Sequence, residues 1–376
     1  MNVYVYGVGT TSFGKHPDVP LAKLAEDAVL EALLDAGPGA IEAAYVGTVF
    51  GPFGSGQRAL RRLGLLGIPI VNVENACASG STAFHEAFWS IRTGRFKRVL
   101  ALGLEHLTSR FDGPIAPEAT DAEGRSGLSL PALYAMSAAR YMACHGLTDR
   151  QLAAVTVKNR QHASTNERAQ FRTPVTLEQV LSSPMIADPL TLLQCCPLSD
   201  GAAAAVLGAR RDNPRDVAVL SCVLRSGHLW DYRSKHVWGQ DLVSTTAAQA
   251  YKHAGITPDE IDVLEVHDAF TIGEIVTLEA LGLAALGEGG RLAESGVTAL
   301  GGTHPVNPSG GLISRGHPLG ATGLAQLAEI VGQLRGDQST RQVQNARIGL
   351  VETMGGGVSG IDGNACVITV LSGAAQ

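Results

Sequence analysis

The chain has 376 residues, of which 45% are hydrophobic and 17% charged, and its formal net charge is −6 at neutral pH. This composition is typical of a globular protein with enough apolar side chains for one large core or two fused cores. The acidic balance and the absence of a basic run argue against nucleic acid or an anionic membrane surface as the main partner. No apolar run reaches the length needed to span a membrane.

The cysteines indicate a reducing environment. The six of them, at positions 77, 144, 195, 196, 222 and 366, include no CxxC pair and no histidine at zinc-ligand spacing. The pattern therefore predicts neither a disulfide framework nor a metal site. The first residues predict a strand that runs into a glycine turn, without the features of a secretory signal. We expect a cytoplasmic protein in which a thiol stays free to react.

Strands and helices alternate along the chain, which predicts an α/β fold with a largely parallel sheet. In the first half, the patterns predict strands at 3–9, 43–51 and 98–105 and helices at 21–37 and 81–94. After Pro214 the alternation returns, with strands predicted at 216–227, 262–270 and 347–357 and helices at 243–255 and 271–282. The simplest interpretation is that one α/β unit has been duplicated.

The duplication predicts two domains, residues 1–214 and 215–376. The halves align best where a glycine-rich turn leads into a helix and then a strand, at 75–103 in one half and 316–356 in the other. Residues 107–211, approximately, lack an obvious counterpart in the second half. We interpret this stretch as an inserted loop region that covers or completes a binding site.

Cys77 is the candidate nucleophile. It lies in NACASGSTA, after a predicted strand and just before a helix that begins near Ser79. The positive end of the helix and its free N–H groups are expected to lower the pKa of the thiol. A small buried cysteine is the alternative, but the glycine-rich turn favours the reactive interpretation.

Two histidines are candidate partners of Cys77. His317 occupies the equivalent turn of the second half, so the two helix starts meet if the halves pack with pseudo-two-fold symmetry. A neutral imidazole beside a thiol removes its proton and then donates to an oxyanion. His267 lies at the end of a predicted strand, where α/β folds place functional side chains. Asp268 is expected to cap the helix that follows.

The glycines at 355–357 follow the last strand pattern of the duplicated unit. Such a turn is able to present bare backbone N–H groups to a developing negative charge. Alternatively, these glycines only allow the chain to bend sharply.

Together these blocks resemble the thiolase superfamily over essentially the whole chain. The matching segments are NACASG at 75–80, HDAF at 267–270, NPSGG at 307–311, GHPLGATG at 316–323 and GGG at 355–357. Within the insertion, the segment 175–207 resembles the branch that contains sterol carrier protein type and archaeal thiolases.

The resemblance implies a five-layer αβαβα thiolase fold, a homodimer, and coenzyme A thioesters as substrates with no permanently bound cofactor. It implies that Cys77 takes the acyl group, that His317 activates the Cys77 thiol, and that His267 is a second donor at the oxyanion site of the second substrate. It also implies that the N–H groups of Cys77 and Gly356 hold the oxyanion of the covalent step. Coenzyme A would extend under the insertion toward Ser309 and Gly310.

The sequence departs from the family pattern at the second acid/base. Many thiolases have a cysteine two residues before the last glycine cluster, where this chain has Thr353. Sterol carrier protein type enzymes often have a cysteine within HDCF and a histidine before the glycines, where this chain has Ala269 and Glu352. Glu352 is a candidate base if burial raises its pKa toward neutrality.

Three functions are consistent with these features. The first is a thiolase-type acyl-CoA C-acyltransferase that makes or breaks a C–C bond next to a thioester. The second is a decarboxylating or non-thiolytic acyltransferase, or a C–C lyase, because the usual second acid/base is absent. The third is a non-catalytic acyl-CoA-binding subunit that needs a partner protein, which the intact Cys-His-His set disfavours.

Overall fold

The computed structural model describes residues 1–231 and 233–373. The strands are β1 (Tyr4–Thr10), β2 (Ala43–Gly47), β3 (Ile70–Val73), β4 (Arg98–His106), β5 (Met185–Ala187), β6 (Leu190–Thr191), β7 (Asp200–Gly208), β8 (Val217–Arg225), β9 (Val263–Glu265), β10 (Ile348–Gly355) and β11 (Ala365–Ser372). The helices are α1 (Leu21–Ala36), α2 (Ser55–Arg61), α3 (Ser79–Arg92), α4 (Ala122–Arg125), α5 (Leu130–His145), α6 (Asp149–Ala163), α7 (Leu177–Leu181), α8 (Gln240–Ala254), α9 (Thr271–Ala280), α10 (Gly289–Glu294), α11 (Gly311–Arg315) and α12 (Thr322–Arg335). In the described part of the chain, no helix has both the length and the apolar character needed to cross a membrane.

The main sheet confirms the duplicated architecture. Its strand order is β3-β2-β4-β7-β1-β8-β11-β10-β9. Outward from the centre, the order β1-β7-β4-β2 in the first half matches the order β8-β11-β10-β9 in the second half. The halves join where β1 pairs with β8 through Tyr4 opposite Ala218 and Val5 opposite Val217. The expected boundary near residue 214 falls between β7 and β8.

Side-chain alternation along the strands builds the five layers. On β4, Val99 and Ala101 face the central core, whereas Leu100, Leu102 and Leu104 face α1. Helices α3 and α12 contact strands of both halves and form the middle layer. Because α1 covers the outer face of the first half and α8 covers that of the second, the layers run α, β, α, β, α.

The expected insertion differs from the structure at its C-terminal end. Residues 200–208, included in the expected range 107–211, form β7 in the middle of the sheet. In the second half, β11 occupies the equivalent place, so β7 belongs to the duplicated unit. Residues 107–199 contain α4 to α7 and the hairpin β5–β6. Tyr141 and Leu152 pack there with Phe270 and Ile275 of the second half.

Two glycines allow the central helices to meet. A Cβ on Gly80, in the first turn of α3, would overlap the carbonyl oxygen of Gly320, just before α12. A Cβ on Gly103 of β4 would overlap the same oxygen. Only hydrogen fits at these positions. The contact confirms that the two helix starts meet, as pseudo-two-fold packing requires.

Candidate active site

The Cys77 thiol lies at the junction of β3 and α3. The helix begins at Ser79, as the sequence predicted, and the preceding Ala76 has a φ of 49°, a left-handed conformation unusual for alanine. The thiol is partly buried and lines a cavity of about 780 Å³ whose lining is mainly apolar. A strained turn therefore presents Cys77 to this cavity.

Both predicted histidines reach Cys77. The Cys77 Sγ atom and one ring nitrogen from each of His267 and His317 lie within 4.8 Å of one another. The imidazole centroids are 5.1 Å apart and the rings cross at 81°. His317 precedes α12, and His267 follows β9, so strand ends and helix starts from both halves assemble the cluster.

The sequence expectation for the pKa of Cys77 is wrong in direction. Burial, together with the negative charges of Glu105 and Glu74, raises the pKa of the Cys77 thiol to about 12. Desolvation of the thiolate outweighs the helix end that was expected to stabilise it. The resting group is therefore a neutral thiol, and a base must remove its proton when it attacks.

The histidines are neutral, so each has one unprotonated ring nitrogen to receive a proton. Burial lowers the pKa of His267 to about 3, and burial together with His267 and Arg315 lowers that of His317 well below its usual range. The Thr322 hydroxyl donates to the Pro318 carbonyl oxygen at 3.0 Å. Its oxygen therefore accepts the Nδ1–H of His317 at 2.7 Å, which leaves Nε2 as the basic atom.

The glycine turn after β10 lines the same cavity. Gly356 and Gly357 are among its lining residues, and Gly357 has a φ of 126°, which favours glycine. A Cβ on Gly356 would overlap the Trp238 ring. Trp238 Nε1 donates to the Ile361 carbonyl oxygen at 2.9 Å, which fixes that ring against the turn.

The two acidic residues considered in the sequence, Glu352 and Asp268, accept backbone hydrogen bonds around the site, and the role of Glu352 as a base stays a prediction. Glu352 is fully buried outside the set of residues that line the cavity, and its Oε2 accepts the backbone N–H of His267 at 2.8 Å. Burial raises the pKa of Glu352 to about 7. Contrary to the expectation from the sequence, Asp268 does not cap α9. It accepts the N–H of Leu312 at the start of α11 and a hydrogen bond from Asn159.

Ser309 and Gly310 are not placed to contact a ligand in the cavity. Both are buried and neither lines it. The Ser309 hydroxyl donates to Glu265 at 2.8 Å, and a Cβ on Gly310 would crowd the side chain of Ala163. They hold the loop before α11 against β9 and α6, and their expected role in coenzyme A binding stays a prediction.

The cavity also contains groups that sequence reasoning missed. Tyr134 of α5 and Cys196 line it together with Cys77, although both belong to the insertion. The N–H of Cys196 donates to the carbonyl oxygen of Ala269 at 2.8 Å, so the two segments lie side by side. Nothing local in the sequence marks this contact, since about 70 residues separate the partners.

The cluster is also a potential metal-ligand set. One sulfur and two imidazole nitrogens at this separation form a donor set that suits soft divalent cations. The same geometry serves nucleophilic catalysis, because a base and its nucleophile need hydrogen-bond proximity. The absence of a resident metal stays a prediction.

Comparisons with known proteins identify the family. The family models described as "Thiolase, N-terminal domain" and "Thiolase C-terminal domain-like" match residues 3–211 and 231–364. Acetyl-CoA acetyltransferase of Methanothermobacter thermautotrophicus is 43% identical over 94% of this chain and 96% of its own length. Sterol carrier protein 2 of Bos taurus is 40% identical over 98% of this chain and 72% of its own.

A solved structure extends the likeness to the complete fold. The structure named "Ltp2-ChsH2(DUF35) aldolase" has a TM-score of 0.86 and 27% identity, and the match covers 100% of this chain and 98% of that one. Both halves of the chain thus match the same family, and the similar proteins come from the branch that the insertion predicted. The chain belongs to the thiolase family and is a thiolase-like acyltransferase of the archaeal and sterol carrier protein type branch.

Proposed function

We propose that the protein is an acyl-CoA C-acyltransferase that forms an acyl-Cys77 intermediate and makes or breaks a C–C bond next to a thioester. The observation that carries the proposal is the cluster of one neutral thiol and two neutral imidazoles within 4.8 Å, open to a mainly apolar cavity. Coenzyme A thioesters are the proposed substrates. A reducing compartment such as the cytoplasm suits a nucleophile that must stay a free thiol.

The first step is transfer of the acyl group to sulfur. His317 Nε2 accepts the proton of Cys77 as its sulfur attacks the thioester carbonyl, and the same proton then leaves with coenzyme A as its thiol. The backbone N–H groups of Cys77 and Gly356 hold the oxyanion. His267 also lines the cavity, so a ring N–H that faces it would donate to a substrate oxygen.

The C–C step needs a further proton donor, and we assign Cys196 to it. Burial and the neighbouring Cys195 and Cys77 raise the pKa of Cys196 well above its usual value, so it holds its proton. Its backbone contact with Ala269 brings it beside the position of the family's HDCF cysteine. In thiolysis, the Cys196 proton passes to the enolate that leaves the cleaved bond, and the incoming coenzyme A thiol returns a proton.

A second candidate is a C–C lyase or other non-thiolytic enzyme. Thr353, at the place of the family's second cysteine, donates to Gln326 at 2.7 Å and accepts from Ser81 at 2.8 Å, so its hydroxyl is committed inside the core. The similar structure named as an aldolase supports this candidate. The name of that structure contains two protein names, Ltp2 and ChsH2. A partner protein beside this chain is part of the second candidate.

We also propose a homodimer built on β3. This strand is an edge of the sheet, hydrogen-bonded on one side by β2. Its residue Val71 is 43% exposed, whereas β2 is buried throughout. An exposed apolar edge strand favours pairing with another chain, and a second copy offers an identical strand.

Acylation of Cys77 tests the main proposal. Intact-mass spectrometry after incubation with acetyl-CoA is expected to show one acetyl group on the wild-type chain and none on Cys77→Ala. Cys144→Ala, which removes an exposed thiol, is the matched control and should acylate normally. An unmodified Cys77 with every acyl-CoA tried would refute the proposal. Supplying a 3-ketoacyl-CoA with coenzyme A, and separately a 3-hydroxyacyl-CoA, distinguishes thiolysis from retro-aldol cleavage.

Cys196→Ser is expected to slow thiolysis of a 3-ketoacyl-CoA by about 10²-fold or more, because it weakens general acid catalysis. Acylation of Cys77 should change far less, since that step uses His317. Cys195→Ser is the matched control, because the Cys195 thiol also lines the cavity but donates to the Thr191 carbonyl oxygen. Equal rates in the two variants would show that Cys196 has no special role.

Glu352→Gln tests whether this carboxyl group is structural. Its pKa is 4.5 when unfolded and about 7 when folded, so its stabilising contribution is complete below pH 4.5 and is lost as pH rises through 7. The loss amounts to about 3 kcal/mol at most. Wild-type Tm should therefore fall more between pH 5 and 8 than that of Glu352→Gln. The exposed substitution Glu118→Gln should retain the wild-type slope, and identical slopes in all three chains would contradict the assignment.

Val71→Arg is expected to convert a wild-type dimer into a monomer in light scattering, because two like charges would face each other across the paired edges. Leu34→Arg on α1, where the leucine is 82% exposed, is the matched control and should leave the mass unchanged. A wild-type chain that is monomeric at micromolar concentration, or a dimeric Val71→Arg, would exclude this interface.

A further inference from the structure

We propose that the cavity beside Cys77 selects acyl groups that carry a planar aromatic ring close to the thioester carbonyl. The inference rests on the proposed acyl transfer to Cys77 and names its substrate class. Although aromatic residues make up only 5% of the chain, two of the three tryptophans line this one cavity, together with Tyr134 and Phe270. Aromatic side chains are thus concentrated where the acyl group must lie.

Three of these rings form a continuous wall. Phe270 and Tyr134 are stacked, with centroids 4.3 Å apart and an interplanar angle of 30°. Tyr134 meets Trp238 edge to face, with centroids 5.7 Å apart and an angle of 88°. The stacked pair and the perpendicular ring form an angular wall, which gives a flat guest both an edge and a face to pack against.

The wall begins at the reacting carbonyl. Gly356, whose N–H we assign to the oxyanion, is packed so closely on the Trp238 ring that a Cβ would overlap it. Phe270, at the other end of the wall, lies three residues after His267 on the same loop. A substituent attached to the acyl carbon of acyl-Cys77 would therefore pack against this wall, because the rings and Cys77 line the same cavity.

The wall is rigid and largely uncharged. The hydrogen bond from Trp238 Nε1 to Ile361 holds one ring, and the buried Phe270 lies in the core shared by the insertion and α9. Among the described residues that line the cavity, Arg140 and Glu123 are the only arginine and carboxylate. Arg140 already donates to the Ser234 carbonyl oxygen. A fixed aromatic surface binds a ring at less entropic cost than it binds a flexible chain.

The test compares three thioesters with eight acyl carbons: phenylacetyl-CoA, cyclohexylacetyl-CoA and octanoyl-CoA. We expect the kcat/KM for acylation of Cys77 in the full-length wild-type chain to be about five- to tenfold higher for phenylacetyl-CoA than for either other compound. A preference for octanoyl-CoA, or equal rates with the planar and the puckered ring, overturns the inference. Acylation by none of these compounds and none by acetyl-CoA would instead refute the proposed acyl transfer.

A variant locates the preference. Trp238→Leu should reduce the ratio of phenylacetyl to octanoyl rates about fivefold or more, whereas Trp89→Leu, which alters a tryptophan 41% exposed on α3, should retain the wild-type ratio. An unchanged ratio in a folded Trp238→Leu chain overturns the assignment of the wall. If that variant fails to fold, the comparison of the three thioesters on the wild-type chain still decides the inference.

Discussion

The backbone contact between the starts of α3 and α12 is the constraint on which the rest of the structure depends. Because Gly80 and Gly103 have no Cβ, the Gly320 carbonyl oxygen is able to approach both of them. Cys77 lies just before one of these helices and His317 just before the other. Any side chain at the contact would push the halves apart, and the same movement would separate the thiol from its base. Fold and chemistry therefore share one steric requirement.

Burial at this contact also sets the protonation states. The same removal from water raises the pKa of Cys77 and lowers the pKa of both histidines, so every member of the cluster is neutral at rest. An ion pair between thiolate and imidazolium is therefore disfavoured before substrate binds. Charge separation occurs only as sulfur attacks, when the developing oxyanion faces backbone N–H groups. The site thus stabilises the transition state of the attack and does not stabilise a thiolate at rest.

Much of this arrangement was predictable from the sequence because duplication repeats a recognisable local pattern. The glycine turns before α3 and α12 identified Cys77 and His317, and the strand end identified His267. The strand β7 was missed because its run of alanines has strong helix propensity, which tertiary pairing between β4 and β1 overrides. The pKa of Cys77 was misjudged because burial depends on the whole fold. Likewise, Cys196 and Tyr134 reach the cavity through the folding of the insertion, which no local pattern encodes.

The hydrogen bonds of Thr353 indicate that this position has a structural role in the chain. Ser81 of α3, Thr353 of β10 and Gln326 of α12 form a chain of hydroxyl and amide groups inside the middle layer. The position that holds a second cysteine in many thiolases thus holds the halves together in this chain. If proton transfer in the C–C step comes from Cys196, it comes from the insertion, which also supplies Tyr134 to the aromatic wall. Acyl transfer to Cys77 then depends on the duplicated halves. The choice of substrate and the second proton transfer both depend on the insertion, so a change in how the insertion packs alters both.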